Sequence, residues 1–368
     1  MSANNIQKAI NKNLPAIPDK YLNLLAEICR IPATSANEKE ISIFLYNYLS
    51  EYKPVIDSIG NIIIDKGKDI FKPVICAHLD TVHKYEAKQL FQYISEGHKY
   101  LFSKDSEGKE NGIGGDDKCG ILAALYLLEK ISDIKIIFFT SEESGGIGSS
   151  DLDISELNKA SCIIGVDRWG NSDYCNNYMS SKATSEDFDK ANKNINKKYG
   201  YKATSGLMTD AFILFERDAN VSCINVSCGY YKHHTSQEII DTNELWNCCR
   251  YLHDLISGLK YDTRYKHEVQ RVLKYPVTFN KYNYFDNIND YYLPGYKSEA
   301  KTYQYDILDR DDQELMWTIE YYMNDLKLSE ADLSNKKTCE KLANHIFDIE
   351  GAVINFDDIN TFLNYIHI

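Results

Sequence analysis

The stretch PVICAHLDTVH, residues 73–83, stays apolar through Ala77 and then sets His78 and Asp80 two residues apart. Side chains at i and i+2 of an extended segment share a face. An imidazole and a carboxylate should therefore emerge together where a buried strand ends. Other apolar runs finish in the same way. Glu142 and Glu143 end IKIIFFTSEE, Asp167 ends SCIIGVD, and His233 and His234 follow VSCINVSC. Asp116 and Asp117 open the apolar stretch DDKCGILAALYLLEKI. Imidazoles and carboxylates in such numbers pack poorly with apolar groups but suit a borderline-hard divalent cation. Desolvating that many like charges without a cation is very costly. The residue types suit two ions sharing a bridging carboxylate, about 3.5–4 Å apart, with water or hydroxide between them. On this reading His78 is a ligand and Asp80 the acceptor that fixes its tautomer.

Each motif alone has a plainer explanation. An isolated H-x-D is most often a packed or hydrogen-bonded pair, and EESGG is usually a solvated turn. GIGGDDK fits a helix entry with Asp117 near the positive end of the helix dipole. It lacks the G-K-[ST] ending of a phosphate-binding loop. Ser35 and Glu38 have the spacing of a capping box, as do Thr235 and Glu238 before an expected short helix. His83, His98, His253, His267, His345 and His367 are read as structural, and so are the adjacent Cys248 and Cys249. The metal reading rests on the conjunction.

The elements that would position these residues follow from hydrophobic pattern. NIIID, PVICAHLD, IKIIFFT, SCIIGVD and VSCINVSC are short apolar runs, several separated by about one helix length of chain. That alternation predicts βαβ units and a three-layer α/β/α domain with a mostly parallel central sheet. Ligands of such sheets bind beyond the carboxyl ends of the strands, where all the polar residues above would meet. SANEKEISIFLYNYL, DDKCGILAALYLLEKI, SEDFDKANKNINKKYG, LMTDAFILFERDA and NELWNCCRYLHDLISGL are expected helices. Residues 1–262 are assigned to this domain. Residues 263–368 form an extension, Tyr- and Asn-rich at first and helical near 311–327, 336–348 and 356–366. It is expected to cover part of the cleft, to join copies of the chain as a homo-oligomer, or simply to pack on outer helices.

The bulk numbers fit a soluble globular chain: 368 residues, 43% hydrophobic and 26% charged. A net charge of −13 argues against nucleic acid as a partner. No run approaches the roughly 18 apolar residues of a membrane span. The first twenty residues lack the apolar core of a secretory signal, and the ten cysteines include no C-x-x-C pair. The expectation is a cytoplasmic protein with reduced thiols.

HLDT, GGDDKCG, TSEESGGIGS, GVD and HHTSQE occur in the order and approximate spacing of the co-catalytic zinc exopeptidase superfamily. That group holds peptidase T, the aminoacylases and the leucyl-type aminopeptidases. ICRIPATSANEKEI also resembles the opening of the peptidase T branch, and the resemblance covers roughly residues 20–260. It implies Asp116 as the bridging ligand, with His78 and Asp167 on one metal and Glu143 and His234 on the other. It further implies Glu142 as general base, Asp80 beside His78, and a cis peptide after Asp116. His234 is preferred to His233 because the family pattern runs His-Thr/Ser-x-x-Glu. The ions implied are two zinc ions, with cobalt or manganese as alternatives. His233, Tyr230 or Tyr231 would donate to the oxyanion, and Asp210 and Met208 would line the substrate pocket. One feature departs from the peptidase T and aminoacylase branches. Only residues 168–233 separate Asp167 from His234, and expected helices and a core strand fill most of that interval. No inserted lid domain fits, a layout closer to the leucyl-type aminopeptidases.

The function expected is a metal-dependent exopeptidase, an aminopeptidase acting on small peptides. A deacylase of N-acyl amino acids or a carboxypeptidase with the same chemistry is the alternative, and a non-catalytic binding descendant a third.

Overall fold

The structure is a computed structural model that describes residues 14–83, 89–178, 181–217, 219–267, 338–339 and 341–342. The chain divides into two compact units, Met1–Gln270 and Arg271–Ile368. Residues 338–339 and 341–342 are helical. Otherwise the expected C-terminal extension, from residue 268 on, lies outside the described residues.

Two helices, α1 (Asp19–Arg30) and α2 (Lys39–Tyr48), precede strands β1 (Val55–Ile56), β2 (Ile62–Lys66) and β3 (Lys72–His78). A hairpin of β4 (Gln89–Ser95) and β5 (His98–Lys104), with short β6 (Glu110–Asn111), leads into helix α3 (Gly115–Lys130). Then come β7 (Ile134–Phe139), α4 (Ile147–Asp151), β8 (Ala160–Arg168), β9 (Asp173–Tyr178), β10 (Ser181–Lys182) and α5 (Glu186–Tyr199). The unit continues with β11 (Lys202–Gly206), α6 (Asp210–Glu216), β12 (Cys223–Ser227), β13 (Tyr230–Tyr231), β14 (Ile239–Asp241) and α7 (Thr242–Gly258).

The main sheet runs β1-β2-β7-β3-β8-β12-β9-β10, with β11 beside β9. Its four middle strands, β7, β3, β8 and β12, are parallel, and β2 and β9 flank them antiparallel. Alternation along each strand divides the core into two. Ile62, Ile64, Ile75, Ala77, Ile136, Phe138, Ile164 and Val166 face the layer that holds α1, α3 and α7. Ile63, Val74, Cys76, Ile137, Phe139 and Ile163 face the layer that holds α6. This is the expected three-layer α/β/α arrangement. Helix α3 is buried along almost its whole length because it lies against β3 and β8 and is covered by α1 and α7. Among the described residues no helix is long and apolar enough to cross a membrane. All ten cysteines are free thiols, and all are buried.

Two features differ from the sequence reading. A second, antiparallel sheet, β13-β14-β5-β4 with β6 beside β5, stands apart from the first. Nearly every residue of β4 is exposed, so the strand has no core face to give it a readable alternation. The two apparent capping boxes also cap nothing. Glu38 is the N-cap of α2 without a side-chain cap bond. Residues 232–237 form turns and bends with no helix after them. Ser35, Glu38 and Glu238 find partners across the fold instead, and Thr235 bonds within its own turn.

Candidate metal centre

The parallel middle strands deliver their carboxyl ends to one edge, and α3 begins there too. His78 closes β3, pinned where the Leu79 amide donates to Phe139 O at 2.8 Å. Asp167 lies near the end of β8. Its amide donates to Asn225 Oδ1 at 3.0 Å, and Asn225 Nδ2 donates back to its carbonyl at 2.6 Å. Asn225 went unread in the sequence, although an amide inside the apolar run VSCINVSC was a usable signal. Asp116 and Asp117 are joined by a cis peptide, as the resemblance implies. Asp117 is the real entry to α3: Oδ1 accepts the Gly120 amide at 2.9 Å, while Oδ2 accepts the His78 amide at 3.1 Å.

Five side chains converge. Asp116 stands between two imidazoles, with Oδ1 3.0 Å from His78 Nε2 and Oδ2 3.5 Å from His234 Nε2. His78 Nε2 also lies 3.5 Å from Asp167 Oδ1, and His234 Nε2 is 3.1 Å from the Glu143 carboxylate. His78, Asp116, Asp167 and Glu143 are largely buried; the His234 side chain, 32% exposed, forms the rim. Its φ of +59° turns it back over the cluster.

Asp80, Ser35 and Glu38 support this cluster. His78 Nδ1 lies 3.0 Å from the backbone carbonyl of Asp80 and 3.4 Å from its Oδ1. A carbonyl only accepts, so Nδ1 carries the hydrogen and Nε2 faces Asp116. Asp80 thus faces Nδ1 with both its backbone carbonyl and its carboxylate. The Asp80 carboxylate accepts the amides of Glu142 at 3.0 Å and Glu143 at 3.2 Å, and the Ser35 hydroxyl at 2.7 Å. Glu38 accepts both the amide and the hydroxyl of Ser141, whose φ is +53°. Ser35 and Glu38 therefore brace the Ser141–Glu143 turn.

The cluster crowds carboxylates around two imidazoles. Burial alone would lower His78 and His234. The Asp167 charge and bonds to Asp116 and Asp167 outweigh it for His78, which rises well above its ordinary value. The Glu143 charge and bonds to Asp116 and Glu143 carry His234 up to about 12. Asp116 would rise with burial, but its bonds to the two imidazoles hold it well below the carboxylate range. Burial and the Asp116 charge push Asp167 up to about 7, against the pull of His78. Burial, aided by Asp116, also raises Glu143. Glu142 sits partly exposed beside it, raised by burial and by Asp167 and Asp210 despite His78.

The other sequence candidates fall as follows. Asp210 opens α6, 4% exposed, and burial pushes its carboxyl up to about 8. Among the described residues its Oδ1 meets no hydrogen-bond partner. The His233 ring stacks on Trp169 and lies edge-on to His234, with centroids 6.4 and 4.9 Å apart. Tyr230 donates to Asp167 Oδ1 at 3.3 Å. Tyr231, the next residue along β13, points to the opposite side and donates to Glu244, so it is not brought to the cluster.

The donor set suits divalent cations. His78, Asp116 and Glu143 offer ligand atoms all within 4.8 Å of one another, as do His78, Asp117 and Asp167. Because Asp117 is spent on two amides, Asp167 is the available carboxylate of the second group.

Several solved structures share this fold. The aminopeptidase PepT of Bacillus cereus ATCC 10987 superposes with a TM-score of 0.56 at 15% identity, over 66% of this chain and 99% of that one. A tripeptidase from Staphylococcus aureus subsp. aureus mu50 gives 0.53 at 15% identity, over 66% and 98%. An aminopeptidase from the archaeon Desulfurococcus kamchatkensis gives 0.50 at 14% identity, over 66% and 95%. No curated protein sequence matches the chain. The sequence pattern of peptidase family M28, by contrast, matches residues 63–256, more than half of the chain and the span that carries every residue of the cluster. The chain belongs to peptidase family M28, within the co-catalytic zinc exopeptidase superfamily, and is a metal-dependent peptidase.

Proposed function

We propose that the protein is an aminopeptidase that hydrolyses small peptides with two divalent cations, zinc in the first instance. The observation that carries this reading is the place of Asp116, one oxygen toward His78 and the other toward His234. A carboxylate so flanked is suited to be shared. His78 and Asp167 would hold one cation, Glu143 and His234 the other. When bound, the cations acidify a water to a pKa of about 7 and polarise the scissile carbonyl.

The chain's own residues do the rest. Glu142 lies next to a proposed ligand, and among the described residues its carboxylate makes no hydrogen bond. Its raised pKa suits a group that takes a proton and gives it back. It accepts a proton from water as the water oxygen bonds to the carbonyl carbon. It returns that proton to the amine nitrogen as the C–N bond breaks. Asp80 sets the position of Glu142 through the Glu142 amide. Asp210, buried with one oxygen unpartnered, is the group proposed to receive the ammonium of an unblocked N-terminus. That favours an aminopeptidase over a deacylase or carboxypeptidase.

Glu142→Gln should lower kcat by about 10²–10⁴-fold while leaving metal content unchanged. Unimpaired hydrolysis by this variant would remove Glu142 from the mechanism. Free and N-acetylated forms of one tripeptide should differ in favour of the free form. Asp210→Asn should raise KM for the free peptide more than it lowers kcat, and equal use of both peptides by wild type would reject the aminopeptidase assignment.

A further inference from the structure

Three segments that carry proposed ligands meet on one buried carboxylate outside the cluster. Glu238 is 1% exposed and lies four residues beyond His234. Its Oε2 accepts the Gly114 amide at 2.6 Å and His83 Nε2 at 2.7 Å, and its Oε1 accepts the Asp116 amide at 3.0 Å. His83 follows His78 by five residues on the segment leaving β3. Among the described residues no lysine or arginine pairs with Glu238, so these three donors compensate its charge.

The glycines of GIGGDD are explained by the same contacts. A Cβ at Gly112 would fall within 1.9–2.3 Å of the His83 ring, so the imidazole lies directly on that backbone. A Cβ at Gly115 would stand 2.7 Å from Tyr230 Cβ and 3.4 Å from Glu238 Oε1. Gly114 has a φ of +76°. Residues with side chains at Gly112 and Gly115 would push the loop off the carboxylate, and at Gly114 would strain it.

We propose that Glu238, held by His83, is a positioning residue that fixes Asp116 between His78 and His234. The physical reason is leverage. Asp116 has non-helical backbone angles, φ −81° and ψ 104°, and precedes the first regular turn of α3. Its own helix therefore does not dictate where its carboxylate points. The bond to its amide sets the nitrogen, and the bond to Gly114 sets the direction from which the chain arrives. Because Glu238 shares a turn with His234, the same carboxylate sets the 3.5 Å spacing between Asp116 and that imidazole. Partners at one remove from ligands commonly change metal affinity or activity by about 10–100-fold when removed.

The inference rests on the reading of Asp116 as a shared ligand, and its test separates the two. The full-length chain, stripped of metal and titrated with Co(II), reports affinity and ligand geometry through its visible absorption. Zinc affinity by chelator competition, kcat and KM at saturating metal, and Tm complete the set. Glu238→Gln replaces one accepting oxygen by an amide donor that clashes with at least one N–H. The expected result is about 10–100-fold weaker binding of at least one cation, an altered Co(II) spectrum, and a lower kcat with little change in KM. His83→Phe should move each readout in the same direction by less, and His83→Gln, whose amide can still donate, should restore most of the loss. The His83 pair also carries the test should Glu238→Gln fail to fold. If both Glu238→Gln and His83→Phe lowered Tm but bound Co(II) and turned over as wild type does, Glu238 would brace the loop only and this inference alone would fall. A wild-type chain that bound no cation would overturn the proposed function and this inference with it.

Discussion

Asp80 Oδ1 accepts the Glu142 amide, and Oδ2 accepts the Glu143 amide and the Ser35 hydroxyl. One carboxylate thereby sets two neighbouring glutamates with different proposed duties, one toward a cation and one toward a proton. Burial would raise its pKa, but the bond with His78, the His78 charge and the bonds from Ser35 and the Glu142 amide outweigh it and lower it. It stays an anion able to accept all three. Asp80→Asn exchanges one accepting oxygen for a donor that faces a backbone N–H. The expected cost is about 10–100-fold in kcat, with Ser35→Ala milder because it removes one bond and leaves both amides held. Steady-state rates at measured metal content check this; an Asp80→Asn enzyme with wild-type kcat would show that the turn holds itself. The chemistry of Asp80 was legible in the sequence only in part. Spacing put it on the same face as His78, but spacing cannot show that its carboxylate serves a turn some sixty residues later.

At the scale of elements, strand ends were the most legible feature and the bonds between segments the least. His78, Glu142, Glu143 and Asp167 follow apolar runs whose pattern fixes strand ends, and parallel strands bring such ends together. The spacing S-x-x-E, however, describes both a local cap and two side chains that reach across the fold. Ser35 and Glu38 took the second course because Asp80 and the Ser141 turn lay within reach. Asp241 does both: Oδ1 caps α7 by accepting the amides of Asn243 and Glu244, while Oδ2 meets His98 Nδ1 from β5. Helices α5 and α7 are tied by Asp254, which accepts Lys198 Nζ at 2.6 Å and the Tyr199 hydroxyl at 2.7 Å. Burial would raise Asp254, but these bonds and His253 hold it at about 2. A depressed carboxyl adds stability above its unfolded pKa of about 3.9 and loses it as pH falls toward about 2. Asp254→Asn should therefore cost roughly 0.2–1 kcal/mol near pH 7, and the gap from wild type should close between about pH 4 and pH 2. Urea unfolding of both proteins across that range measures it. A gap that stayed constant with pH would mean that the carboxylate's charge adds nothing.

For the whole molecule, the division of labour is between a scaffold and an edge. The apolar runs that make the sheet legible also frame the edge where His78, Asp80, Asp116, Asp117 and Glu143 are buried together. The matched family span, residues 63–256, contains all of the cluster but leaves out Ser35 and Glu38, which brace it from the connection between α1 and α2. The second sheet was invisible in the sequence because β4 is exposed almost throughout and β14 is only three residues long. It nonetheless supplies β13 and β14, which bracket the His233–Glu238 turn. The central claim is that His78, Asp116, Glu143, Asp167 and His234 hold two cations that act as one centre. Cations bound per full-length chain, counted by elemental analysis as zinc is added back to stripped protein and read alongside hydrolysis of an unblocked tripeptide, test it most directly. Two cations per chain are expected, with full activity only when both are bound and with Asp116→Asn losing both affinity and turnover. Full activity at one cation or none, or an Asp116→Asn chain that still binds two with wild-type affinity, would contradict it.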